Sequence, residues 1–91
     1  MPAKRVIYSG HVQNVGFRYA VKQIASGYEV VGTVQNLEDG RVELQASSWS
    51  SEELDAFIEG IKDSSLGGNI REVLINPMPE LTGVKGFSII R

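Results

Sequence analysis

Gly10-His11-Val12-Gln13-Asn14-Val15-Gly16-Phe17-Arg18 stands between two stretches of different periodicity. Before it, Arg5 to Ser9 reads as a strand, with Val6 and Tyr8 on one face and Ile7 on the other. Apolar residues on both faces suit a central strand. After it, apolar residues fall at Phe17, Ala20, Val21, Ile24 and Ala25, one face of an amphipathic helix. The spacing predicts a helix from about Gly16 to Ala25, stopped by Gly27 in the left-handed conformation. A glycine-flanked loop that leaves a strand and opens a helix points unpaired backbone N–H groups at one spot, backed by the positive end of the helix dipole. Such a spot attracts phosphate. Arg18, in the first helical turn, adds a planar cationic fork that can hold two phosphate oxygens at once. The candidate anion-binding set is therefore His11, Val12, Gln13, Asn14, Val15, Gly16 and Phe17 through the loop amides, with Arg18 through its side chain. The imidazole of His11 reads as a solvated loop group.

Beyond this helix, Glu29 to Gln35 is a valine-rich strand that ends at Asn36. Asn36-Leu37-Glu38-Asp39-Gly40 reads as a hairpin turn, with Asp39-Gly40 its strongest cue. Arg41 to Ser47 alternates Val42, Leu44 and Ala46 with Arg41, Glu43 and Gln45, one face for the core and one for solvent. Trp49 is expected to pack beneath the second helix. Ser50 and Glu53 have capping-box spacing, and Leu54, Phe57, Ile58 and Ile61 line one face of the helix they open. Its carboxylates, Glu52, Glu53, Asp55 and Glu59, fall on the other faces and read as solvated. Ser64 to Gly68 ends that helix, and Ile70 to Ile75 is a further strand that Asn76-Pro77-Met78-Pro79 should break. Phe87 to Ile90 closes the pattern.

Composition narrows the function classes. Ninety-one residues with 42% apolar and 22% charged content make one domain, 1–91, of ordinary globular type. With no cysteine there is no thiol nucleophile and no thiolate metal site, and a single histidine, His11, does not supply an imidazole metal cluster. No metal and no cofactor is expected. A net charge of −2 argues against a nucleic-acid binder. No signal peptide or membrane span is visible, so the expected location is the cytoplasm. No long apolar stripe calls for a partner subunit, and a monomer is expected.

Strand-helix-strand occurs twice, followed by a short extra strand. Repetition of a split βαβ unit predicts a ferredoxin-like βαββαβ sandwich, an α+β fold with an antiparallel sheet and both helices on one face. In that topology the first two strands are parallel, with the third between them. Their C-terminal ends lie at one edge of the sheet, two strand spacings or about 10 Å apart. Arg18 and Asn36 can then face one ligand.

Two motifs now carry a resemblance. Gly10, Val12, Gln13, Val15, Phe17 and Arg18 match the acylphosphatase signature Gly-x-Val-Gln-Gly-Val-x-Phe-Arg, with Asn14 where the family carries glycine. Gly32-Thr33-Val34-Gln35-Asn36-Leu37-Glu38-Asp39-Gly40-Arg41-Val42 resembles the family's second motif, with Thr33 where an aromatic residue is usual. Gly86-Phe87-Ser88-Ile89 resembles its terminal pattern. The resemblance implies a metal-independent hydrolase of acyl phosphates that yields a carboxylate and inorganic phosphate. It implies Arg18 and Asn36 as catalytic residues, Arg18 holding phosphate and Asn36 orienting water. Asn14 is expected to leave a competent enzyme, slower or weaker in binding, and the alternative is a catalytically weakened or non-enzymatic ferredoxin-like anion-binding module. An RNA-binding relative would need aromatics in the third strand, and a metal carrier would need Cys-x-x-Cys; neither is present. The similar domain of the hydrogenase-maturation carbamoyltransferases belongs to much longer chains.

Overall fold

Val6, Ile7 and Tyr8 are all buried, the pattern of an inner strand. In the computed structural model, which describes residues 1–91, they lie in β1 (Ala3–Gly10). The chain continues through α1 (Phe17–Ala25), the hairpin β2 (Val31–Asn36) and β3 (Val42–Ser47), and α2 (Ser51–Asp63). A short 3₁₀ turn (Ser65–Asn69) leads into β4 (Ile70–Met78), and β5 (Phe87–Ile90) follows. The strands form one sheet in the order β4-β1-β3-β2-β5. Both helices pack on one face of it, as the ferredoxin-like reading requires. β1 and β2 flank β3 and run antiparallel to it. β5 joins the far side of β2 in parallel, so the sheet is mixed: its first four strands are antiparallel and its fifth is not.

Parity along the strands decides what meets what. Val6, Tyr8, Val34, Val42, Leu44 and Ala46 face the helices and form the core with Phe17, Val21, Leu54, Phe57 and Ile61. Full burial of such a side chain stabilises the fold by about 1.5–3 kcal/mol. Gly32 sits where β2 approaches β3 most closely. A Cβ there would lie 2.0 Å from Gln45 O and 2.9 Å from Ala46 Cα. Gly32→Ala must push the two backbones apart, so we expect a loss of at least about 1–3 kcal/mol. At about 4–8 °C per kcal/mol for a domain of this size, calorimetry should show a lower Tm; an unchanged Tm would sink the close-approach reading.

Several sequence expectations are corrected. Gly27 does not take a positive φ. Ser26, Gly27 and Tyr28 instead donate to Gln23, Ile24 and Ala25, a tightened right-handed turn that satisfies the last carbonyls without a left-handed residue. Trp49 is 82% exposed. Ser48 takes the inward position: its hydroxyl donates to Glu29 O and accepts from Ser50 N, which turns Trp49 outward. The capping box is half made. Ser50 Oγ accepts from Glu53 N, while the Glu53 carboxylate takes Glu29 N rather than returning to Ser50. β4 runs through Pro77 to Met78, opposite Lys4 to Ala3, because an edge strand tolerates a missing N–H on its unpaired side.

Glu43 was expected in solvent and is 7% exposed. On the open face of the sheet it accepts from Arg5, Gln35 and Gln45. Burial pushes its carboxyl up, but the bonds from Gln35 and Arg5 and the Arg5 charge outweigh that and hold it below the ordinary carboxylate range. A depressed folded value contributes stability that is present above the unfolded value and lost as pH falls through the folded one. The urea midpoint of the protein should therefore fall on acidification below about pH 4, and Glu43→Gln should flatten part of that fall. No helix is long and apolar enough to cross a membrane.

Candidate active site

Asn36, Val42 and Tyr8 occupy one row across the sheet. Asn36 shares the parity of Val34 and so faces the helix layer. Gly10 lies at the same sheet edge, where the chain leaves β1 toward the loop. Val12 then turns into the core, 1% exposed, and Asn14 takes φ 61°, left-handed. Gly16 is the N-cap of α1 at φ 77°, a conformation that glycine adopts freely because it has no Cβ. These two left-handed residues fold the loop back over the sheet edge.

The outcome is a cleft of about 160 Å³ lined by Val12, Asn14, Gly16, Phe17, Arg18, Tyr19, Asn36, Ile89 and Arg91. Arg18 and Asn36 thus meet as the strand topology required. None of the backbone N–H groups from Val12 to Gly16 donates to the rest of the chain, and the first helical bond is made by Ala20 N to Gly16 O at 3.0 Å. The first turn of α1 carries no acidic side chain. Arg18 pairs with no carboxylate; its one side-chain hydrogen bond is donated by Nη1 to Ile90 O at 3.5 Å. The cleft therefore lies at the positive end of a helix, with Arg18 and Arg91 on its wall, beside a loop whose backbone amides are unpaired within the chain. Asn36 Oδ1 is buried and accepts no hydrogen bond.

The loop residues do not all reach it. His11 donates its backbone N–H to Asn69 O at 2.9 Å, and it lines a separate groove with Arg71. Val15 packs against the core. The side chain of Gln13 is turned to the hairpin, where its amide donates to Leu37 O at 2.8 Å and Arg41 O at 2.9 Å. Three cleft residues were not legible as such from sequence: Tyr19, Ile89 and Arg91. Tyr19 was adjacent to Arg18 in the first helical turn, a signal that was available. Ile89 and Arg91 depend on β5 pairing beside β2, with Ile89 opposite Val34.

Asn14 tests the loop conformation. A β-carbon without a polar tip is less at ease at φ 61°, so Asn14→Ala should cost on the order of 1 kcal/mol. Denaturant titration should register that loss, and Asn14→Gly should not show it.

Comparison with known proteins identifies the family and the fold. The acylphosphatase family model matches residues 4–89. An acylphosphatase of Listeria welshimeri is 43% identical over 83 residues, covering 90% of this chain and 88% of that one. The crystal structure of acylphosphatase from Bacillus subtilis superimposes with a TM-score of 0.88 at 35% identity, over 100% of both chains. Full-length HypF in its phosphate- and nucleotide-bound form is similar too, with a TM-score of 0.82 at 31% identity, but over only 12% of that chain.

Proposed function

Since the chain belongs to the acylphosphatase family, a family of acyl phosphate hydrolases, we propose that Arg18 and the loop amides hold the phosphoryl group of the substrate while Asn36 places the attacking water. The observation that carries this reading is the shared cleft: Arg18 without a carboxylate partner, Asn36, and loop residues whose amides are unpaired within the chain line one hollow.

In the proposed reaction the water oxygen bonds to phosphorus as the bond from phosphorus to the acyl oxygen breaks. The acyl group leaves as a carboxylate with that bonding pair. One water proton stays on the incoming oxygen and the other passes to a phosphoryl oxygen, giving dihydrogen phosphate. A carboxylate is a good leaving group and needs no strong general acid. No histidine or carboxylate side chain lines the cleft, so a phosphoryl oxygen of the substrate is the proposed base. Charge spread over the equatorial oxygens is met by preorganised donors, Arg18 among them. Asn36 can donate to and accept from a water after rotation about its soft terminal torsion, which brings Oδ1 out of its buried setting. The reaction is proposed to need no metal ion, because Arg18 supplies the compensating positive charge.

Hydrolysis of benzoyl phosphate by purified protein, with and without excess chelator and inorganic phosphate, tests the reading. Rapid hydrolysis that ignores the chelator and is competitively inhibited by phosphate is expected. Loss of activity with chelator would overturn metal independence, and no activity in folded protein would favour a module that only binds.

A further inference from the structure

Two halves of the cleft come from segments far apart in the chain. The loop and Arg18 follow β1, whereas Asn36 ends β2. Chemistry needs the phosphorus and the water at a set separation, and a misplacement of about 1 Å can cost 10²-fold. Some contact must therefore fix loop against hairpin.

Gln13 is that contact. It lies between Val12 and Asn14, both cleft residues. Its side chain is partly buried and crosses to the neck of the hairpin, where one Nε2 bonds Leu37 O at 2.8 Å and Arg41 O at 2.9 Å. Those carbonyls belong to the hairpin's own closure: Leu37 N donates to Arg41 O, and Gly40 N donates to Leu37 O. Leu37 directly follows Asn36. The primary amide is suited to this place, because it carries two hydrogens on one nitrogen and so spans two acceptors. A carboxylate could donate to neither.

We propose that Gln13 is a positioning residue: its side-chain amide sets the distance between the phosphate-holding loop and Asn36, and so couples phosphate binding to water placement. The side chain acts on the reaction only through Asn36, and the proposal rests on the role assigned to Asn36 above. Its backbone amide remains free to serve the anion, so the side chain and the main chain of one residue do separate work.

The test is a set of variants assayed with benzoyl phosphate and with inorganic phosphate as inhibitor. Gln13→Leu keeps the bulk and removes both donors. It should lower kcat about 10–100-fold, the cost of a sub-ångström to ångström displacement, while the inhibition constant of phosphate moves less than about threefold. In an Asn36→Ala background the same substitution should have almost no further effect on kcat, since coupled residues are non-additive. Gln13→Glu presents a carboxylate to two carbonyl oxygens at neutral pH. Its deficit relative to the unsubstituted protein should shrink as the pH is lowered toward about 4–5, where a protonated carboxyl can donate once; mere loss of packing would give no such pH dependence. Multiplicative losses in the double variant, an unaltered kcat in Gln13→Leu, or a phosphate inhibition constant that rises in step with the fall in kcat would each overturn the proposal. An Asn36→Ala variant with full kcat would overturn the water-placing reading itself and this proposal with it, so the two failures are told apart by the single variants.

Discussion

Arg18→Ala should remove nearly all turnover and most phosphate affinity together. Loss of one preorganised donor to a developing charge costs about 2.7–4 kcal/mol in other enzymes, or roughly 10²–10³-fold in rate at 1.36 kcal/mol per decade. Arg18 offers several donors and a full charge, so its removal should reach at least that value in kcat/KM. The inhibition constant of inorganic phosphate should rise as well, because in the proposed mechanism the same fork holds product and substrate. Stability should change little: the guanidinium has no ion pair, and its contact to Ile90 O is long. Arg18→Lys keeps the charge and loses the planar fork, so it should restore only part of the activity. Assays of kcat, KM and phosphate inhibition on the two variants, with Tm measured beside them, decide this. A phosphate inhibition constant that stays put in Arg18→Ala would mean the arginine does not hold the phosphoryl group.

Asn36→Ala separates chemistry from binding. Its kcat should fall by roughly 10²-fold or more, the scale of a lost positioning or electrostatic group, while phosphate still inhibits nearly as well as before. The stability arm should stay nearly flat. Asn36 Oδ1 accepts no hydrogen bond from the rest of the chain, so alanine breaks none there, and the variant should lie within about 1 kcal/mol of its parent. Urea unfolding and steady-state kinetics on one preparation would check both halves. A variant that loses activity and stability together would point to a structural residue instead.

These effects explain which parts could be read in advance. The strand-to-helix transition at Gly10 to Arg18 was legible because two periodicities change there, and β1 with both faces buried follows from Val6, Ile7 and Tyr8. The meeting of Arg18 with Asn36 followed from strand order alone. Other features depend on neighbours that periodicity does not name. Glu43 looks solvated in an alternating strand; it is buried only because Arg5 comes from β1 and Gln35 from β2 to cover it. Pro77 looks like a break until β4 is known to be an edge. Trp49 went outward because Ser48 found two partners, a local contest between hydrogen bonds and one ring that composition does not decide. His11 sat within the motif, yet its amide was taken by Asn69, 58 residues later in the fold's return to β1.

β5 gives the cleft a thermodynamic character of its own. It is four residues long, pairs on one side only, and contributes Ile89 to the wall of the cleft. Short edge strands open at lower free energy than the body of a sheet, as hydrogen exchange commonly reveals. Detachment of β5 would break its ladder with β2 and lift Phe87 off Phe57, yet leave the four antiparallel strands paired. If anion binding at the cleft requires Ile89 in its wall, apparent affinity should scale with the fraction of molecules in which β5 is docked, and anion occupancy should slow exchange at β5 by mass action.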